Sequence, residues 1–193
     1  CVIVDEAQDM GMQAFRLIRH LVPSGVNDLF IVGDGHQRIY GRNRAVLNQC
    51  GIDIRGRSRK LRINYRTTEE IRRYAVNLLE GRQVDDLDGG TDSNTGFKSL
   101  THGERPKTKH FDTEAQQLDF IKTYLKQRHE EGAPLGNICI VARTKHELDI
   151  VEEGLRQSDV KSFRIVADAS DRGYTDAVKI ATMHRVKGLE FDE

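Results

Sequence analysis

Two adjacent carboxylates, Asp5 and Glu6, follow directly on the apolar run Val2-Ile3-Val4 near the start of a 193-residue sequence. Nucleoside triphosphate hydrolysis needs such a pair: one carboxylate holds Mg²⁺, usually through water, and another polarises the attacking water. Neighbouring residues at a strand end point in different directions, so Asp5 and Glu6 can divide the two tasks. A carboxylate packed at a sheet edge is costly without a partner, which favours a ligand for this pair over a purely structural role. Asp9 reads instead as a cap for the helix that follows.

Three further segments carry chemistry. In Val32-Gly33-Asp34-Gly35-His36-Gln37-Arg38-Ile39-Tyr40 the glycines permit a tight turn, and the neutral amide of Gln37 suits sensing a γ-phosphate or placing a water. Read alone, without the Asp5-Glu6 pair, the segment is better taken as a surface turn. Asn64-Tyr65-Arg66 offers a cation for phosphoryl-transfer charge and an aromatic face for a base, or else a half-buried tyrosine beside a surface arginine. Thr182-Met183-His184-Arg185-Val186-Lys187-Gly188-Leu189-Glu190-Phe191-Asp192 joins a strand end to a basic cluster and a glycine. His20, His102, His110, His129 and His146 read as structural, and no histidine spacing suggests zinc.

The elements that must position these segments alternate between strand and helix. Val2–Val4 and Leu29–Val32 read as fully buried parallel strands, joined by a helix over 11–22 with Met12, Phe15, Ile18, Leu21 and Val22 on one stripe. Asp5-Glu6 and Gly33-Asp34 then fall at the carboxyl ends of their strands, the edge where open α/β sheets bind ligands. Lys60–Ile63 reads as a short strand. Thr67-x-x-Glu70 reads as a capping box for a helix whose Ile71, Tyr74, Ala75, Leu78 and Leu79 form the apolar face. A mobile polar loop is expected over 83–96. Thr113-x-x-Gln116 and Thr144-x-x-Glu147 cap two more helices, and 138–141, 163–166 and 178–182 complete the strands.

Composition bounds the class. Net charge is zero, with 30 basic and 30 acidic residues. Between Arg38 and Arg66, however, nine basic residues face Asp53 alone, which reads as a solvated face or as a surface for a polyanion. Asp85, Asp86, Asp88 and Asp92 cluster among glycines further on. Apolar runs of four or five residues are too short to span a bilayer, and no signal-peptide pattern is present. Three cysteines without CxxC spacing predict buried thiols in a reducing, cytoplasmic compartment.

Together the four segments resemble the UvrD/Rep family of superfamily 1 DNA helicases. Asp5-Glu6-Ala7-Gln8-Asp9 resembles its Walker B motif and the segment 33–41 its third motif. Asn64-Tyr65-Arg66 resembles its fourth and the segment 182–192 its fifth, all in the family's order. The resemblance implies an α/β fold of RecA-like parallel sheets flanked by helices, of P-loop NTPase type, with a first lobe ending at 57 and a second over 58–193. It implies ATP and Mg²⁺ as cofactors and single-stranded DNA or a duplex junction as partner, with stepping 3′ to 5′, as in DNA repair motors. Asp5 would hold Mg²⁺, Glu6 would act as base and Gln37 would contact the γ-phosphate. Tyr65 would stack on adenine, Arg66 would be an arginine finger and Glu190 would reach the ribose. Tyr40, Thr182, His184 and Lys187 would lie on the DNA path.

The sequence departs from the family pattern in three respects. No G-x-x-x-x-G-K-[ST] loop occurs in these 193 residues, nor does the family's last arginine motif. Arg42-Asn43-Arg44 stands where an aromatic usually follows the third motif. The span from Arg66 to Thr182 is too short for the large insertion of bigger relatives, which points to a compact member. An internal piece of a longer enzyme is therefore expected, inactive by itself. A non-catalytic nucleic-acid-binding or regulatory module and a helicase–nuclease subunit are the alternatives; an upstream Walker A lysine or a downstream nuclease domain would separate them.

Overall fold

The computed structural model describes residues 1–39, 44–93, 95–166 and 176–193. Tyr40, Arg42 and Asn43 lie outside the described residues. The chain is α/β with small parallel sheets and packs as two compact units, Cys1–Thr108 and Lys109–Glu193.

In the first unit, β1 (Val2–Val4) pairs in parallel with β2 (Leu29–Ile31), with Val4 opposite Ile31. The crossover carries α1 (Met12–Leu21), whose Phe15 is fully buried in a cluster with Val4, Ala7, Ala45, Leu47, Cys50 and Ile52. Arg19 anchors the end of α1 by an ion pair to Asp28, 2.7 Å away. The expectation of fully buried strands is corrected here: Ile3 is 74% and Phe30 59% exposed. They are register partners on the face away from α1, and the apolar cluster covers only the other face. Leu21, placed on the helix stripe, is likewise exposed.

The rest of the unit begins with β3 (Ile63–Asn64) and α2 (Glu69–Asn77). The helix cap is Thr68, which accepts from Ile71 N, and not Thr67. Asn64 captures Thr67 instead, donating to its hydroxyl at 2.6 Å and accepting from its backbone N at 3.3 Å. The apolar stripe of α2 is also reversed from expectation. Ile71, Tyr74 and Leu78 are exposed, and Glu69 is buried, accepting from Arg72, Arg73 and the backbone N of Ser99. Those donors satisfy a charge that would otherwise be costly to bury, and they fix which face turns inward.

The span expected as a mobile loop contains a hairpin of β4 (Val84–Asp85) and β5 (Thr91–Asp92), followed by β6 (Lys98–Ser99) parallel to β3. Asp86 accepts from Asp88 N and Gly90 N across the hairpin turn, the reach that favours aspartate in turns.

The second unit holds α3 (Glu114–Glu130), β7 (Cys139–Ala142), α4 (Lys145–Arg156), β8 (Ser162–Arg164) and β9 (Val178–Thr182). The sheet order is β7-β9-β8, all parallel, with β9 central. Thr113 and Thr144 cap their helices as the spacing predicts, and Thr144 and Glu147 complete the reciprocal box. Leu125, Ile138, Leu148, Leu155, Val178 and Ile180 form the core. Cys139 and Cys50 are half-buried and buried, while Cys1 is exposed, contrary to the expectation of three buried thiols. Burial pushes the Cys139 thiol up to about 11. No helix among the described residues is long and apolar enough to cross a membrane.

Candidate nucleotide and nucleic-acid sites

The first cluster forms where β1 and β2 end. Val32 N donates to Val4 O at 2.8 Å and Ala7 N to Val32 O at 3.0 Å, so both chains continue past the strands in contact. Asp5 and Glu6 are exposed there, and Asp5 Oδ1 accepts from Glu6 N at 2.8 Å. Glu6 has φ 52° and ψ 39°, a left-handed backbone that a non-glycine residue adopts at a cost of about 1 kcal/mol.

Gln8 is 2% exposed and ties this turn to the next one. Its Oε1 accepts from Asp34 N at 2.9 Å, and its Nε2 donates to Glu6 Oε2 at 2.5 Å. The Asp34 N–H can only donate, so the amide oxygen must face it and the NH2 must face Glu6. The Asp34 carboxylate accepts from His36 N at 2.9 Å and from Gln37 Nε2 at 2.9 Å. Glu6 and Gln37 are thus ends of one hydrogen-bonded path through Gln8 and Asp34. Gly33 is required where the turns meet: a Cβ there would lie 2.9 Å from both Ala7 Cβ and Gln8 Oε1.

Arg38 closes the cluster. Its Nε donates to Gln8 O at 3.0 Å and its guanidinium grips the Asp85 carboxylate with two nitrogens. Burial works to raise the Asp85 pKa, but the hydrogen bonds from Arg38 and Leu87 N and the charges of Arg38 and Arg44 hold it below the ordinary value. Gly35 lies under the Asp85 carbonyl, with no room for a side chain. Other cations of the basic segment are engaged too: Arg55 pairs with the Asp53 carboxylate, Arg57 donates to the Asp53 backbone oxygen, and Lys60 pairs with Asp92.

Tyr65 and Arg66 stand at a separate sheet edge, between β3 and α2. Asn64 Oδ1 accepts from Arg66 N at 2.9 Å and shapes the turn, leaving Tyr65 73% exposed and Arg66 exposed. In the second unit, Thr182, His184, Lys187 and Glu190 gather at the carboxyl end of β9. Met183 N donates to Ala142 O at 3.0 Å, and the chain then turns, with Arg185 N and Val186 N both donating to Thr182 O. His184 and Glu190 are exposed and Thr182 and Lys187 half-buried along that turn.

Sequence alone assigns no contact to Gln8, Asp34, Arg38 or Asp85: it puts Asp34 at the strand edge and Arg38 in a basic run, and no more. Gln8 was visible only as a letter of its motif, and Asp85 as one of an acidic group 47 residues from its partner. Among the described residues no three His, Cys, Asp or Glu side chains form a metal cage. Mg²⁺ asks for less: one or two carboxylate oxygens, with water and phosphate completing the octahedron. Asp5, a hard oxygen donor exposed at a strand end, fits that demand.

Residues 59–169 match the UvrD-like helicase C-terminal domain and residues 1–50 the UvrD/REP helicase N-terminal domain. The chain belongs to the UvrD-like helicase family. It is 24% identical over 161 residues to a protein named ATP-dependent DNA helicase PcrA from Staphylococcus epidermidis, covering 81% of this chain and 21% of that protein. The protein of the same name from Staphylococcus aureus is 25% identical over the same length and coverage. The chain therefore spans about a fifth of the length of the curated relatives it matches.

Proposed function

We propose that this chain is part of an ATP-dependent DNA helicase that moves 3′ to 5′ on single-stranded DNA, built on two RecA-like lobes of P-loop NTPase type. The first lobe runs to residue 57 and the second covers 58–193; the family matches, which end at 50 and resume at 59, favour that boundary, although residues 58–108 pack with the first compact unit. The observation that carries the reading is the path joining Glu6 to Gln37 through Gln8 and Asp34 at the carboxyl ends of two parallel strands. Such a path puts a base for water and a γ-phosphate sensor in direct mechanical contact, and both are parts that phosphoryl transfer uses.

In this reading Asp5 holds Mg²⁺, which when bound offsets phosphate charge. Glu6 accepts a proton from the attacking water. Gln37 keeps a second amide N–H for a γ-phosphate oxygen while the first stays on Asp34. Tyr65 offers its exposed face to adenine, Arg66 supplies transition-state charge from the second lobe, and Glu190 accepts from the ribose. Tyr40, Thr182, His184 and Lys187 meet the DNA. ATP closes the lobes and hydrolysis reopens them, and the 193 residues alone do not turn over ATP. The work is that of a cytoplasmic motor of the DNA repair kind.

Full-length protein tested on tailed duplexes decides the matter. ATP hydrolysis stimulated by single-stranded DNA, with displacement from a 3′-tailed but not a 5′-tailed duplex, is expected. DNA binding without turnover would favour a regulatory module.

A further inference from the structure

We propose that Gln8 is a positioning residue that sets the Glu6 carboxylate and makes its placement depend on the Gly33–Gln37 turn. The inference rests on the reading of Glu6 as the base. Three contacts of one buried residue converge: side-chain NH2 on Glu6 Oε2, side-chain oxygen on Asp34 N, and backbone oxygen on Arg38 Nε. A buried amide with both ends engaged has one orientation, so its NH2 is a fixed point for the Glu6 carboxylate. The left-handed backbone of Glu6 brings its side chain back over Gln8, two residues on.

The link transmits displacement. Asp34 holds Gln37 through its carboxylate and Gln8 through its backbone N–H. A pull on Gln37 by a phosphate therefore moves Asp34, and with it the amide that sets Glu6. A glycine at 33 leaves Gln8 Oε1 within reach of this turn, where any side chain would push it away.

The test uses full-length protein and DNA-stimulated ATP hydrolysis. Gln8→Met keeps the length and loses both side-chain hydrogen bonds. Gln8→Glu keeps an acceptor for Asp34 N and replaces the donor to Glu6 by a carboxylate oxygen that repels it, so it displaces Glu6 by a different route and remains informative if the methionine variant fails to fold. Both should lower kcat by about 10- to 100-fold, with KM for ATP within about 3-fold. In a Glu6→Gln background, where no base remains, Gln8→Glu should lower single-turnover hydrolysis no further. Wild-type kcat in a folded Gln8 variant, or an equal loss in both backgrounds, overturns the positioning role. Undiminished hydrolysis by Glu6→Gln itself would instead remove the reading of Glu6 on which this role rests.

Discussion

Arg38 and Asp85, 47 residues apart, form a two-nitrogen ion pair with Arg38 Nη2 3.0 Å from Asp85 Oδ1. It straps the β4–β5 hairpin to the Gly33–Gln37 turn. Leu47 N donating to Leu87 O at 3.1 Å and Asn48 N to Asp88 at 3.1 Å extend the seam. The Arg38 side chain is 8% exposed, so removing its partner leaves a charge that water cannot fully reach.

Arg38→Ala leaves the largely buried Asp85 carboxylate without this partner, and should loosen the hairpin by about 3 kcal/mol, the lower end of the range for breaking a buried pair. Hydrogen exchange on the full-length protein reads this directly: the amides of Leu47 and Asn48 should lose protection together. Unchanged protection at both would show that the pair is not what holds the seam.

Gly33→Ala places a methyl 2.9 Å from Ala7 Cβ. Overpacking of this kind costs about 1–3 kcal/mol, and here it also displaces Gln8. The variant should fold with a reduced thermal midpoint and lose ATP turnover more than ATP binding. An intact kcat would show that the two turns can separate without consequence.

The acid limb of stability should come partly from α2. Hydrogen bonding from Arg72 first, then from Ser99 N and Arg73, holds the Glu69 carboxyl well below the usual carboxylate range. The hydrogen bonds from His102 and Gly103 N lower Glu70 to about 2. A carboxyl whose pKa falls on folding stabilises fully above its unfolded value, about 4.3, and loses that contribution as pH drops through the folded value. The thermal midpoint should fall between about pH 4 and pH 2, and less steeply in a Glu69→Gln, Glu70→Gln double variant. An equally steep fall in the double variant would place the titration elsewhere.

Much of this fold is legible in sequence, for identifiable reasons. Thr113 and Thr144 cap their helices as spaced because no neighbour among the described residues competes for their hydroxyls there, whereas Asn64 takes up Thr67 and the cap of α2 passes to Thr68. The strand ends that carry Asp5, Glu6 and Gln37 follow from short apolar runs. Periodicity finds the apolar stripe Ile71, Tyr74 and Leu78 but not which face is covered. There the burial of Glu69 among its donors decides, and two of those donors are cations that read as surface residues. The hairpin at 84–92 escaped for a related reason: its partners, Arg38 and Lys60, are remote in sequence. Gln8 escaped because a glutamine beside two carboxylates carries no mark of being buried.

Tyr65 and Arg66 should separate binding from chemistry. Tyr65 is exposed, so Tyr65→Ala should leave the thermal midpoint unchanged and raise KM for ATP, by about 10-fold if a stacking contact is lost. Arg66→Ala should lower kcat by about 1,000-fold with KM little changed, as for an arginine finger. The opposite split would exchange their roles.

The most direct measurement concerns Glu6. In full-length protein, Glu6→Gln keeps the size and the hydrogen-bonding edge of the side chain and removes the base. DNA-stimulated ATP hydrolysis should fall by at least about 100-fold, while ATP and single-stranded DNA still bind. Hydrolysis at the unaltered rate would contradict the assignment of this strand end as the place where water is activated.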